Sequence, residues 1–179
     1  MKVQQISLSQ YEWKTDLLNL NIPANLFLMF VSPGFIDKSE LLKTLSALYS
    51  DAIIIGCSTA GEISDVMVKD YSVALSAILM EKVEIRKESV ILDDMKDSCK
   101  AGQDIANKLK AKDLSHMLIL SDGLNVNGAD LVSGLKSISP TTSITGGLAA
   151  DGGNFEKTFV IDMDQMKDKT IVGLGFYGN

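Results

Sequence analysis

Ala52-Ile53-Ile54-Ile55-Gly56-Cys57-Ser58-Thr59-Ala60-Gly61-Glu62-Ile63 is the stretch around which we predict the fold to be organised. The apolar run at 52–55 is typical of a short buried β-strand. In the loop predicted at 56–63, two glycines let the backbone approach a partner closely, and the polar side chains between and beside them can form hydrogen bonds. We therefore predict a buried strand that leads directly into a binding loop.

The segment before this loop has the pattern of a βαβ unit. Leu26–Val31 is another apolar run, and Asp37 with Glu40 has the spacing of a helix capping box. Leucines at positions such as Leu41 and Leu45 then recur at helical spacing. A strand, a helix and a strand joined by short loops form a right-handed crossover between parallel strands.

The same pattern returns 90 residues later. A strand predicted at Met117–Leu120, a helix that Asn127 caps and that extends to Ile138, and a strand at Thr142–Thr145 lead into a second glycine-rich loop, Gly146–Gly153. An ungapped shift aligns six identical pairs: Leu28 with Leu118, Leu41 with Leu131, Leu45 with Leu135, Ile54 with Ile144, Gly56 with Gly146, and Ala60 with Ala150. We infer an internal duplication.

The remaining segments complete the predicted fold. We expect a short helix at Ser9–Leu20, a helix at Asp97–Lys110, strands at Ser72–Met80 and Val83–Leu92 joined by a tight turn, and a closing hairpin of Lys157–Met163 with Thr170–Phe176. The prediction is an α/β fold, a mixed sheet built from two duplicated βαβ units plus antiparallel strands. We expect a single domain over residues 1–179, with repeat halves at about 26–92 and 116–177.

Composition excludes several classes of protein. The net charge is −6 and Arg86 is the only arginine, so nucleic-acid binding is disfavoured. The two cysteines, Cys57 and Cys99, have neither a disulfide-framework nor a zinc-site spacing. No apolar run is long enough to span a bilayer or resembles a signal peptide. We expect a cytoplasmic protein without membrane contact by this chain.

Four loops follow the predicted parallel strands, and ligands of open α/β sheets bind at that edge. The candidate ligand-binding residues in these loops are Ser32, Gly56, Cys57, Ser58, Thr59, Glu62, Asp122, Asn125, Gly146, Gly147 and Asp151. Hydroxyl and amide groups suit a carboxylate, and the three carboxylates suit an ammonium group. The mixture favours a zwitterion such as an amino acid, and we predict no metal and no cofactor.

Three motifs resemble the FIST N-terminal domain: GCSTAGEI at Gly56–Ile63, Asp122-Gly123-Leu124 with Asn127-Gly128, and Gly146 to Gly152. They occur in the family's order, and the resemblance spans about residues 26–176, although Ala150 stands where the family commonly has glycine. The resemblance implies an intracellular sensory domain of a signalling protein that binds small ligands such as amino acids. It also implies a C-terminal FIST domain and a signalling output module as partners.

Two other functions remain open at this level. Gly56-Cys57-Ser58-Thr59-Ala60 nearly matches the G-x-S-x-G nucleophile elbow, which suggests a hydrolase or transferase that uses Ser58 or Cys57. His116 is the only histidine and is predicted to begin a strand, away from the loops, so a triad is disfavoured and we expect no enzyme. The other alternative is a protein-interaction module without a ligand.

Overall fold

A computed structural model describes residues 1–64 and 66–178 of the chain. The β-strands in this part are Lys2–Ser9 (β1), Leu26–Val31 (β2), Ile53–Ser58 (β3), Glu62–Ser64 (β4), Met67–Lys69 (β5), Ser72–Leu79 (β6), Glu84–Ile91 (β7), Leu114–Ser121 (β8), Ser143–Leu148 (β9), Val160–Asp162 (β10), Gln165–Lys167 (β11) and Thr170–Tyr177 (β12). The α-helices are Trp13–Leu17 (α1), Lys38–Leu48 (α2), Ser98–Leu109 (α3) and Gly128–Ile138 (α4).

The strands form two main sheets and a small ribbon. The first sheet has the order β1-β6-β2-β3-β10-β11, the second has the order β7-β12-β8-β9, and β4 pairs with β5 in a two-stranded ribbon. β2 with β3 and β8 with β9 are parallel pairs, while the other pairs are antiparallel. The α/β class and the two βαβ units are therefore confirmed, but each unit lies in its own sheet.

The two sheets pack face to face, and helices cover their outer faces. Apolar residues of both sheets form the central layer, among them Ile55, Leu120 and Val172. α1 and α2 pack on the outer face of the first sheet, and α3 and α4 on that of the second. β2 is apolar throughout because one face meets the helices and the other meets the second sheet.

The two βαβ units have the same local geometry. In the first unit, Leu26 pairs with Ile53 and Val31 pairs with Ser58. Adding 90 to each residue number gives His116–Ser143 and Ser121–Leu148, which are pairs observed in the second unit. The bounds of α2 and of β3 coincide with those of α4 and of β9 under the same shift. The duplication thus extends from the sequence to the strand register.

Glycines set the close contact between α3 and α4. A Cβ atom on Gly102 would lie 2.3 Å from the Leu131 carbonyl oxygen, and one on Gly134 would lie 2.0 Å from the Cys99 carbonyl oxygen. Glycine lowers helix propensity by about 1 kcal/mol relative to alanine. Here the two glycines let the helix backbones touch, so tertiary packing compensates for that loss.

The structure corrects two strand connections. β6 and β7 do not form a hairpin, because β6 belongs to the first sheet and β7 pairs with β12 in the second. The predicted closing hairpin is also wrong, since β10 turns into β11 and β12 crosses to the other sheet. Each sheet therefore takes strands from both predicted halves of the chain, an arrangement that depends on contacts distant in sequence.

The local predictions were mostly right in type and less accurate in extent. The strand β1 was missed, and the helix predicted at Ser9–Leu20 is limited to α1. Asp37 precedes α2 but its side chain makes no capping bond, and it accepts a hydrogen bond from Trp13 Nε1 instead. Asn127 caps α4 as predicted, accepting from the backbone N–H groups of Ala129 and Asp130.

Candidate functional site

The two glycine-rich segments predicted to form one site do meet in the fold. The backbone N–H of Ala150 donates a hydrogen bond of 2.9 Å to the carbonyl oxygen of Ser58. Beside this contact lies a cleft of about 310 Å³, lined by Ser32, Pro33, Gly34, Thr59, Ala60, Gly61, Asp70, Tyr71, Asp151, Gly152 and Asn154. Of the predicted ligand-binding residues, Ser32, Thr59 and Asp151 lie in this cleft.

Gly56, Cys57 and Ser58 belong to β3, where a loop was predicted. Gly56 is required by packing, because a Cβ atom there would lie 1.8 Å from the Met29 carbonyl oxygen of the neighbouring strand. Ser58 is fully buried, and its Oγ accepts a hydrogen bond from the backbone N–H of Phe159. Cys57 lies between the two sheets and lines a second groove with residues such as Phe30 and Leu118.

Glu62 lies under the first loop and is not among the residues that line the cleft. Its side chain is buried and accepts hydrogen bonds from the hydroxyl groups of Thr59 and Ser72. Through these bonds Glu62 fixes the rotamer of Thr59, the neighbouring residue that does line the cleft. The contribution of Glu62 to the site is therefore to position Thr59.

Asp122 organises the loop after β8. Its carboxylate accepts hydrogen bonds from the backbone N–H groups of Leu124, Asn125 and Lys169 and from the Thr158 hydroxyl, and the Asn125 amide also contacts it. Burial acts to raise the pKa of Asp122, but these hydrogen bonds outweigh it and lower the pKa below the usual value. Asp122 and Asn125 thus stabilise the loop and lie outside the residues that line the cleft.

Asp151 holds the loop that forms one wall of the cleft. Its carboxylate accepts from the backbone N–H groups of Phe155, Glu156 and Lys157. These bonds, led by the one from Lys157, lower the pKa of Asp151, so the group is ionised at neutral pH. Asp151 therefore brings a negative charge to the cleft while it orders the backbone of residues 151–157.

Three polar residues of the cleft were not among the predicted ligand-binding residues: Asp70, Tyr71 and Asn154. Asp70 and Tyr71 follow β5, and Tyr71 has a positive φ of 54° that turns the chain into β6. All three are exposed, and among the described residues the Asp70 carboxylate has no side-chain hydrogen bond or ion pair. Asp70 and Tyr71 carry no motif, because the fold of the β4–β5 ribbon brings them to the site, whereas Asn154 belongs to the loop that Asp151 orders.

Gly146 and Gly147 lie in β9, away from this cleft. A Cβ atom on Gly146 would lie 1.7 Å from the Ile119 carbonyl oxygen, as on Gly56 in the other unit. A Cβ atom on Gly147 would have no neighbouring atom within 4 Å. Both glycines line grooves on the two faces of β9.

The sequence-family model of the FIST N domain matches residues 25–179. The chain belongs to the FIST N domain family. Members of this family are generally sensory domains of signal-transduction proteins. No curated protein matches the chain. No helix in the described part of this FIST N domain is long and apolar enough to cross a membrane.

The GCSTAGEI motif of this FIST N domain has a structural explanation. It comprises the end of β3, a three-residue loop and the start of β4. Gly56 permits contact with β2, Ser58 bonds to both Phe159 and Ala150, and Glu62 anchors Thr59. Most of the motif therefore builds the wall of the cleft, and Thr59, Ala60 and Gly61 are the residues of the motif that line it.

Cys57 is expected to be unreactive in the folded protein. Burial raises the pKa of its thiol to about 12, and only the thiolate is an effective nucleophile. A rise from 9.0 lowers the thiolate fraction at neutral pH by roughly a thousandfold. We expect iodoacetamide to label half-buried Cys99 first and Cys57 only after unfolding, as read by peptide mass mapping. A Cys99→Ser variant should stay unlabelled when native; rapid labelling of Cys57 in it would contradict this prediction.

Proposed function

We propose that this FIST N domain is a cytoplasmic sensory domain that binds a small molecule, such as an amino acid, in the cleft between residues 59–61 and 151–154. The proposal rests on one observation: two segments distant in sequence are joined by the Ala150–Ser58 hydrogen bond and line a common cleft of about 310 Å³. A ligand that contacts both segments stabilises their association, and this differential binding is the physical basis of a signal.

The cleft has groups for both ends of a zwitterion. Asp70 and Asp151 supply negative charge for an ammonium group, and Asp70 is the exposed one. The Ser32 hydroxyl, the Tyr71 phenol and the Asn154 amide can donate hydrogen bonds to a carboxylate. No lysine or arginine is among the lining residues of the described cleft, so an amino acid suits it better than a phosphate ester.

Binding accounts for the geometry better than catalysis at Ser58 or Cys57. Ser58 Oγ is buried and already accepts a hydrogen bond, and the Cys57 thiol is kept protonated by burial. His116 lies at the opposite end of β8 from the loops and contacts Thr145. We further propose that a C-terminal FIST domain and an output module receive the signal.

Thermal shift in the presence of amino acids tests the proposed site. We expect at least one amino acid at millimolar concentration to raise Tm, because binding to the folded state alone shifts the unfolding equilibrium. Asp70→Asn should lower the affinity for that amino acid at least tenfold, because it removes the ammonium partner. Asp93→Asn, an exposed carboxylate outside the cleft, is the matched control. An equal loss in both variants, or no stabilisation by the whole panel, would refute the proposal.

A further inference from the structure

β9 is an edge strand of the second sheet, and it lacks the charged side chains that the opposite edge strand, β7, carries. β9 pairs with β8, and no other strand in residues 1–64 and 66–178 pairs with it. Its sequence, SITGGL, has neither charge nor proline, whereas the opposite edge strand, β7, carries Glu84, Arg86, Lys87 and Glu88. Edge strands of monomeric proteins usually carry such charges because these prevent pairing with another chain.

The first βαβ unit shows what occupies the equivalent edge. β10 lies antiparallel along β3 and pairs Val160 with Cys57, Ile161 with Gly56 and Asp162 with Ile55. The shift of 90 residues that relates the two units places the corresponding partner of β9 opposite Gly147, Gly146 and Thr145. The duplicated geometry therefore has room for an antiparallel strand at β9.

The side chains of β10 show how such a strand would be held. Ile161 of β10 and Phe159 just before it belong to the same apolar cluster as Leu41 and Leu45 of α2, the helix that packs on β3. The same space beside β9 is an unfilled groove of about 310 Å³, whose apolar lining is Ile119, Leu131, Val132, Leu135, Ile144 and Leu148. Gly146 lies between the last two of these residues and leaves room for a side chain from a neighbouring strand.

Two polar groups at the groove define the chemistry of the occupant. Ser121 Oγ lines the groove and is buried. Among the described residues, it is the one buried side-chain nitrogen or oxygen atom that has no hydrogen-bond partner. Ser121 pairs with Leu148, so the orphan hydroxyl lies at the end of β9. Lys136 lines the groove at the other end, where its ammonium group donates a hydrogen bond to the Thr142 carbonyl oxygen just before β9 and supplies positive charge.

We propose that β9 and the groove beside α4 bind an extended peptide segment of a partner protein, which adds to the second sheet as an antiparallel strand. The segment carries a hydroxyl-bearing residue opposite Leu148, an apolar residue opposite Gly146 and an acidic residue opposite Ile144, in the order N to C. The backbone groups of Ile144, Gly146 and Leu148 face the edge, because on β3 the equivalent Ile54 and Ser58 bond to Met163 and Phe159. Backbone pairing with alternate side-chain contacts is a general mode of peptide recognition.

An NMR titration with the peptide TYTITET tests this proposal. We expect saturable amide shifts in residues 144–148 and in the groove-facing part of α4. Leu148→Glu should weaken binding at least tenfold, because it places a charge at the half-exposed rim of the groove, whereas Leu48→Glu, at a similarly exposed leucine of α2, should not. Lys136→Glu should reverse the preference between TYTITET and TYTITKT.

Three outcomes would overturn the proposal. The first is the absence of amide shifts at β9, and the second is that the control peptide TYTDTET binds as tightly as TYTITET. The third is a concentration-dependent dimer, formed without peptide, in which β9 pairs with β9 of a second copy. Sedimentation velocity of the unliganded protein detects the dimer. In the same spectra, the amide signals of Thr59–Gly61 report separately on the small-molecule cleft. Failure of one site is therefore distinguishable from failure of the other.

Discussion

Gly146→Ala is expected to lower the free energy of unfolding by about 3–5 kcal/mol, from the combined effects of overpacking and backbone strain. The added Cβ atom would lie 1.7 Å from the Ile119 carbonyl oxygen, and the backbone of a paired strand cannot move away without breaking its ladder. Gly146 also has a φ of 147°, which side-chain-bearing residues rarely adopt. The variant should therefore unfold at a lower urea concentration.

Its neighbour supplies the matched control. A Cβ atom on Gly147 meets nothing within 4 Å, so Gly147→Ala should change stability by no more than about 0.5 kcal/mol. Gly56→Ala should behave like Gly146→Ala, since its Cβ atom would lie 1.8 Å from the Met29 carbonyl oxygen in the repeated unit. If Gly146→Ala and Gly147→Ala had equal urea midpoints, the close backbone contact between β8 and β9 at Gly146 would be contradicted.

Asp162→Ala is expected to lower the free energy of unfolding by about 3 kcal/mol, because it leaves two partly buried lysines without a counter-ion. The carboxylate is 4% exposed and pairs with Lys87 and, at 2.6 Å, with Lys167. Lys87 belongs to β7 in the second sheet and Asp162 to β10 in the first, so the pair joins the two sheets. Glu84→Ala, which removes an exposed partner of Arg86, should produce no measurable change.

The effect of Asp162 should depend on pH in a defined direction. Burial acts to raise the pKa of Asp162, but hydrogen bonds and charges from Lys167 and Lys87 outweigh it and lower the pKa. A carboxyl whose pKa is lower in the folded state stabilises above its unfolded pKa of about 3.9, and the stabilisation is lost as the pH falls through the folded pKa. The difference between wild type and Asp162→Ala should therefore shrink in acid. Urea titrations from pH 7 downward measure it, and a constant difference would contradict the ion-pair explanation.

Local signals in the sequence were sufficient for the repeated core of the fold. The apolar run of β2 and the bounds of α4 with its Asn127 cap follow from hydrophobic pattern and capping chemistry. The ends of β3 and β9 were placed too early, because Gly56 and Gly146 were interpreted as loop glycines. Their actual role is to let two strand backbones approach each other, and a sequence does not distinguish these two uses of glycine.

Contacts distant in sequence determined what could not be predicted. The exchange of strands between the sheets places β7 beside β12 and β10 beside β3, and neither pairing has a local signal. In the candidate site, the loops were correctly expected to meet, whereas Asp122 was expected to face the ligand and instead accepts hydrogen bonds from its own loop. Buried backbone N–H groups need such acceptors, and only the folded geometry shows which carboxylate supplies them.

The claim that one ligand contacts both loops is tested most directly by an NMR titration of the isotopically labelled domain with the stabilising amino acid. We expect the amides of Thr59–Gly61 and of Asp151–Asn154 to shift together and to fit a single Kd, with Asp70→Asn weakening both responses equally. Shifts confined to one loop, or different Kd values for the two, would contradict a shared site.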